Sequence, residues 1–314
     1  MTENEVASLK SQTTIAPGQL RKCFRRNTGL FYVLPWVFGF LVFTLYPFAS
    51  SFYNSFTNNL GGGNIKFIGL QNYKNMFTVD FDFWISARAT AIYVAIAVPL
   101  KLGFALFIAM LLNIRIKGVN LFRTVYYIPS ILGGSVAVSI VWRMLFLKNG
   151  LVNRMLESLS FPAVGWLSKP GPALFTISLL TVWQFGSSMV IFLAGLKQIP
   201  NDLYEAATVD GASKPRMFRV ITLPMLTPVL LFNLVMQMIN AFQEFTSAFI
   251  ITGGGPVKGT YLYAFKMYVE AFRNFRLGYA SALSWVLFAV IILLTLIIFK
   301  VSDRYVYYEN EEGS

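Results

Sequence analysis

Histidine is absent, cysteine occurs once, at Cys23, and only 13% of the 314 residues are charged. Each shortage excludes something. Without histidine there is no imidazole general base and no histidine-type metal site. A single cysteine leaves no intrachain disulfide. The charged fraction is about half the ~25% usual in a water-soluble domain. Together with 56% hydrophobic residues, it excludes an ordinary soluble enzyme and a disordered chain. A phosphate-cradling loop is missing too. The nearest approach, Gly254 to Thr260 (GGPVKGT), has its lysine before the second glycine, so the chain is not expected to hydrolyse ATP. No catalytic residue, bound cofactor or metal site is predicted. Acidic residues are the scarcer charge, 14 Asp and Glu against 26 Lys and Arg, for a net charge of +12. In so apolar a chain that excess belongs at membrane edges, not on nucleic acid.

What the chain has is long apolar runs. A spanning helix needs about 20 mostly apolar residues. Six stretches qualify: residues 29–52, 89–112, 121–146, 172–196, 226–251 and 279–301. The gaps are too short for an additional soluble domain of typical size. The expected fold is an all-α polytopic membrane protein of six transmembrane helices. Its parts are an N-terminal tail (1–28), the membrane domain (29–301) and a C-terminal tail (302–314). Arg21, Lys22, Arg25 and Arg26 precede the first run, which is too long for a signal-peptide core and reads as an uncleaved span. This cluster sets the orientation more than the overall bias, about 14 basic residues inside against 11 outside. Both termini are then cytosolic, and Cys23 lies on the reducing side.

The loop at 198–224 carries more pattern than a connector requires. Asn201 caps a short helix in this reading, with Asp202 and Glu205 in its first turns, where carboxylates suit the helix dipole. Gly211 supplies a left-handed stop, and Ser213 caps a second short helix with Pro215 in its first turn. Pro224 biases Leu223 away from helix before the fifth span. Two short helices hinged at Gly211 would offer both charge signs and the small residues Ala206 and Ala207 to a docking protein. An amphipathic surface loop fits the same residues.

These residues resemble a known family. Glu205-Ala206-Ala207, then Gly211, Ile221, Leu223 and Pro224, match in type and spacing the EAA loop of binding-protein-dependent ABC importer permeases. Phe67-Ile68-Gly69-Leu70-Gln71-Asn72-Tyr73 is similar to a first-outer-loop segment of sugar permeases. Phe122-Arg123 with Pro129 and Trp142, the turn Thr252-Gly253-Gly254-Gly255-Pro256, and Gly278 with Ala280-Ser281-Ala282 resemble the family's third, fifth and sixth spans. The likeness covers about residues 30 to 302 and is to the maltose-permease type of the carbohydrate-uptake branch, without extra spans or a large external domain. It implies a type I ABC importer transmembrane domain in the bacterial cytoplasmic membrane, pairing with a second homologous permease. It implies a cytosolic ATPase dimer, on which ATP and Mg would sit, and an extracellular solute-binding protein that hands over a carbohydrate. On this resemblance Glu205 makes the charged contact to the ATPase, with Asp210 a further polar contact. Ala206 and Ala207 allow close packing, and Gly211 forms the turn.

Polar residues within spans face a cavity or another helix. At 100° per residue, Asn233, Gln237, Asn240, Gln243, Glu244 and Ser247 share an arc of about 120° on the fifth span. Thr181, Gln184, Ser187 and Ser188 share a similar arc on the fourth, flanked by Trp183. Amides and hydroxyls suit sugar hydroxyls, an indole suits a pyranose face, and in the family these spans line the sugar cavity; hydrogen bonding between helices uses the same residue types. Glu244 at that depth carries an insertion cost of about 3 kcal/mol, and Lys101 or Arg143 could pair with it. Tyr261, Tyr263, Phe265, Tyr268, Phe272 and Phe275 are expected at the outer interface, in an aromatic belt, with a re-entrant aromatic segment near the exit of the binding protein as the functional alternative. The outer Lys258, Lys266, Arg273 and Arg276 would tolerate an anionic saccharide. Competing readings are an ABC permease for another solute, such as glycerol phosphate, and an ion-coupled secondary transporter.

Overall fold

The computed structural model describes residues 28–63, 65–113 and 118–302. The basic cluster Arg21–Arg26, Cys23, Arg115, Lys117, Arg304 and nearly all of both tails lie outside the described residues. The chain divides into two compact units after Asn54. The first holds an apolar helix, α1 (Thr28–Phe40), continued through a π-helical turn, Leu41–Leu45, into α2 (Tyr46–Ser55). Tyr32–Ser55 is long and apolar enough to cross a bilayer.

The second unit is helical; an isolated bridge, Thr57↔Phe67, is the only β pairing among the described residues. Its elements are α3 (Gln71–Thr78), α4 (Phe81–Leu112), α5 (Val119–Leu132), α6 (Val136–Leu145), α7 (Leu151–Ser158), α8 (Pro170–Trp183), α9 (Gly186–Gln198), α10 (Asn201–Val209), α11 (Lys214–Met217), α12 (Thr227–Phe242), α13 (Tyr263–Tyr268) and α14 (Leu277–Ser302). α4 is the centre. It packs against α8, α9, α12 and α13, and its buried face runs from Phe83 through Tyr93 and Ala97 to Leu112. α4 and α14 are each apolar and long enough to span as single helices.

The other three expected spans are bent pairs. α5 and α6 meet at 100°, α8 and α9 at 48°, and the helical stretch Lys214–Met225 meets α12 at 67°. Each bend has a local cause. At the first, Gly133 and Gly134 end α5, and Ser135 is extended (φ −78°, ψ 131°). At the second, the chain leaves helix at Gln184 (φ −82°, ψ 33°). Ser130 on α5 takes up the freed groups: its hydroxyl donates to Gln184 O (3.0 Å) and accepts from Ser187 N (2.9 Å). Broken helices within a membrane need such internal satisfaction. Gly186 sits so close to α5 that a Cβ there would lie 2.5 Å from Tyr126 O and 2.8 Å from Tyr127 Cα. At the third, a π-helical turn, Phe218–Thr222, precedes Pro224. Leu223 N donates to Phe218 O across the wider turn, so Leu223 stays helical (φ −66°, ψ −45°) where extended backbone was expected.

The fifth span also stops early, at Phe242. Residues 243–245 are non-helical before a further π-helical turn, Ala248–Thr252. At the start of the unit, the Asn72 amide donates to Ser55 O and Thr57 O, both at 2.8 Å, and Tyr73 donates to Ser55 Oγ. Those two positions of the outer-loop segment therefore close a turn.

Candidate functional site

A polar cavity of about 210 Å³ lies where the broken helices face α4. Its lining is Tyr93 and Lys101 from α4, Ser130 from α5, Thr181, Gln184 and Ser187 at the α8–α9 break, and Gln237, Asn240, Ala241 and Glu244 at the end of α12. The breaks matter here. A continuous helix would keep the Gln184 and Glu244 backbones in the ladder, whereas each break turns a polar residue toward shared space.

Much of the wall is already hydrogen-bonded. Tyr93 Oη and Thr181 Oγ1 are 2.6 Å apart, and the Gln184 amide donates to Gly133 O at 2.7 Å. One Glu244 oxygen accepts from both the backbone N–H and the hydroxyl of Ser247, each at 2.8 Å. Among the described residues no ion pair joins Glu244 to Lys101 or Arg143 at 4.0 Å or less. Arg143 instead reaches Ile250 O at 3.5 Å. The two expected partners of Glu244 are therefore corrected: Lys101 shares its cavity without contact, and Arg143 bonds elsewhere.

Of the residues expected on the substrate path, Gln184, Ser187, Gln237, Asn240 and Glu244 come together in this cavity. Trp183, Ser188 and Gln243 do not line it. Trp183 packs on Trp142, ring centres 6.0 Å apart. Ser188 is buried with its hydroxyl unpartnered among the described residues. Gln243 is exposed, because α12 ends one residue earlier and the 100° arc no longer applies. Asn233, on the same arc, is buried and donates to Val229 O within its own helix. Tyr93 and Ser130 were not foreseen. Tyr93 reads as one more aromatic in an apolar run, and Ser130 follows a proline; only the fold brings them to the break.

The loop at 198–224 forms the helix pair expected of it. α10 ends at Asp210, and Gly211 is left-handed at φ 74°. Ala212 N donates to Ala207 O (2.9 Å) and Gly211 N to Thr208 O (3.0 Å), a glycine-closed helix end. Asn201 is the first helical residue and makes no side-chain cap, and Ser213 precedes α11 without a capping hydrogen bond, both unlike the expectation. Tyr204 pairs with Thr222 at 2.8 Å and anchors α10 to the next helix. That leaves Glu205, Ala206, Val209, Asp210 and Gly211 exposed, with Ala207 half-buried.

At the Asp80 end of α4 the charges are paired. Asp80 caps α4 by accepting from Phe83 N (3.2 Å), and it also accepts from Lys266 (2.6 Å) and the Tyr279 hydroxyl. Lys266 reaches Glu270 (3.4 Å), and Glu270 holds Arg276 (3.4 Å) and Asn274 (3.1 Å). Lys258 pairs with Asp82. Burial pushes the Asp80 carboxyl up, but the hydrogen bonds from Lys266 and Tyr279 and the lysine's charge hold it below its ordinary value. Lys258, Lys266 and Arg276 are thus committed to carboxylates, not free for an anionic solute as expected. The aromatic belt is corrected as well. Tyr263 and Phe265 are buried, the first donating to Leu283 O and the second packed on Phe245 and Phe249. Phe272 and Phe275 are the exposed pair.

The chain is an ABC-type permease by fold and by relationship. Residues 101–307 match the model of the binding-protein-dependent transport system inner membrane component, and the chain belongs to that family. It is 47% identical over 315 residues to a probable ABC transporter permease, YesP, of Bacillus subtilis, covering 99% of this chain and all of that one. It is 33% identical to the trehalose/maltose transport system permease MalF of Thermococcus litoralis, covering 87% and 92%. Its fold is that of a subunit in the crystal structure of a bacterial ABC transporter for the acidic polysaccharide alginate, with TM-score 0.77, 21% identity and coverage of 91% and 99%. These relatives are membrane transport components, not enzymes, and so is this chain; the all-α membrane architecture is the type I importer fold.

Proposed function

We propose that the chain forms half of the translocation pathway of an ATP-driven importer for an oligosaccharide. A second, homologous permease supplies the other half. A cytosolic ATPase dimer binds ATP and Mg and supplies the energy, and an extracellular binding protein delivers the sugar. Both termini face the cytosol of a bacterial plasma membrane. The observation that carries the reading is the polar cavity at the helix breaks, lined by amides, hydroxyls, one lysine and one glutamate from helices apolar enough to span. Such groups are expensive inside a membrane unless they serve a pathway or bond to one another. The permease named for trehalose and maltose supports a sugar as solute.

The α10–α11 pair is the coupling element in this scheme. Glu205 and Asp210 offer charge, Ala206 and Ala207 permit close approach, and Gly211 fixes the turn. Closure of the ATPase dimer would draw the pair inward and switch the cavity between sides, an alternation driven by differential binding to two states. Glu244→Ala tests the cavity. The variant should assemble with its partners and retain ATPase activity while oligosaccharide uptake falls at least tenfold. Uptake at the wild-type rate would refute the pathway assignment.

A further inference from the structure

Lys101 is the unusual member of the cavity. It is only 7% exposed, yet among the described residues it makes no hydrogen bond and has no carboxylate oxygen within 4.0 Å. An ammonium carries three donors and no acceptor. Buried at membrane depth without a close partner, it is destabilising unless something else supplies the counter-charge. Glu244 does not do so at contact distance, and one of its oxygens already accepts two bonds from Ser247. Two neutral neighbours are engaged, Ser130 with Gln184 O and the Gln184 amide with Gly133 O, while the side chains of Ser187, Gln237 and Asn240 make no hydrogen bond among the described residues. The cations at the Asp80 end show the contrast, since Lys258, Lys266 and Arg276 all have carboxylates within 3.4 Å. The wall therefore offers a solute one buried cation, an acceptor on the second Glu244 oxygen, and the neutral side-chain groups of Ser187, Gln237 and Asn240.

We propose that the cavity takes a saccharide bearing an anionic group, a carboxylate, sulfonate or phosphate, which pairs with Lys101 while a sugar hydroxyl donates to Glu244. This narrows the oligosaccharide reading above and rests on it. A charge-assisted pair to a buried ammonium is shorter and stronger than a neutral hydrogen bond. A neutral sugar would offer Lys101 hydroxyl acceptors but no counter-charge, so the wall favours an anionic solute by the strength of that ion pair.

The test uses the full complex of both permeases and the ATPase in nanodiscs, without the binding protein, whose own selectivity would intervene. Radiolabelled uronate, sulfonated and phosphorylated oligosaccharides are each compared with a neutral counterpart of equal length, the uronates after carboxyl reduction. In the wild type at least one anionic sugar should bind at least tenfold tighter than its counterpart. Lys101→Met should abolish that preference, and Lys101→Arg, which keeps the charge and checks assembly, should preserve it. Equal binding of every pair, or a preference that survives Lys101→Met, overturns the proposal. Failure of the importer reading looks different. ATP-driven uptake of a neutral saccharide by wild type and Lys101→Met alike keeps the importer and removes the anion. No ATP-driven uptake of any saccharide, charged or neutral, removes both; these two uptake outcomes are read in proteoliposomes with the binding protein restored on the solute side.

Discussion

Asp80 shows how much one side chain ties together. It caps α4, receives Lys266 from α13 and the Tyr279 hydroxyl from α14, and so joins three elements distant in sequence. Lys266 is 1% exposed, so removing its strongest partner leaves a buried ammonium with Glu270 alone, at 3.4 Å. Asp80→Asn should destabilise the purified complex by about 1.5–3 kcal/mol, the range for hydrogen bonds to charged groups, read as a fall in melting temperature. The pH dependence has a definite sign. The carboxyl sits below its ordinary value of 3.8 in the folded protein, so its stabilisation is complete above that value and is lost as pH falls through the lowered one. The melting gap between wild type and Asp80→Asn should be constant from neutral pH down to mild acid and close below the ordinary carboxylate range. A gap that widens toward acid would contradict the assignment.

At the scale of elements, helix approach is set by two glycines that differ in what faces them. At Gly186 a Cβ would meet the α5 backbone at Tyr126 and Tyr127, which has nowhere to go. At Gly195 it would meet the side-chain tips of Leu226 and Val229 at 2.9 Å, which can rotate. Gly186→Ala should therefore cost about 1–3 kcal/mol through overpacking and lower the yield of assembled complex. Gly195→Ala should be milder, because the helix propensity gained, up to about 1 kcal/mol, offsets part of the strain. Equal yields for the two would show that the α9–α5 contact is not a constraint. This is also where reading the sequence stopped short. Apolar run length located the three single helices and the three bent pairs that qualify as candidate spans, because burial in lipid selects for it directly. The bends were not legible, because hydropathy averages over a window and registers neither Gly133-Gly134 nor the early end of α12. Extending an ideal helix past Phe242 put Gln243 on the cavity arc and missed that Glu244 reaches the cavity from a loop. Trp183 was misplaced for a related reason: a tryptophan beside a polar arc suits a sugar ring and a neighbouring Trp142 equally well, and only packing decides. The loop at 198–224 was legible nearly in full, since turn chemistry at Gly211 is local. Its exceptions, the caps expected of Asn201 and Ser213 and the backbone of Leu223, depend on where a helix starts and on a π-helical turn.

For the whole molecule, the sparse chemistry of the chain is consistent with its work being conformational. With ATP hydrolysed by a partner, as proposed, the energy arrives through a surface, and the exposed α10–α11 pair is the one proposed here. The described cations with close carboxylate partners gather at the Asp80 end of α4, while Lys101 stands without one at the cavity. That division separates charges that hold the fold from a charge available to a solute. Glu205 belongs to neither group; it is exposed on α10, where the proposed coupling contact would form. The most direct measurement is saccharide uptake into proteoliposomes holding both permeases and the ATPase, with the binding protein added on the solute side and ATP on the other. The account predicts uptake that requires ATP, the ATPase and the binding protein together, and that falls at least tenfold in Glu205→Lys while the cavity's affinity for saccharide is unchanged. Uptake that persists without ATP or the ATPase, driven by an ion gradient alone, would contradict it.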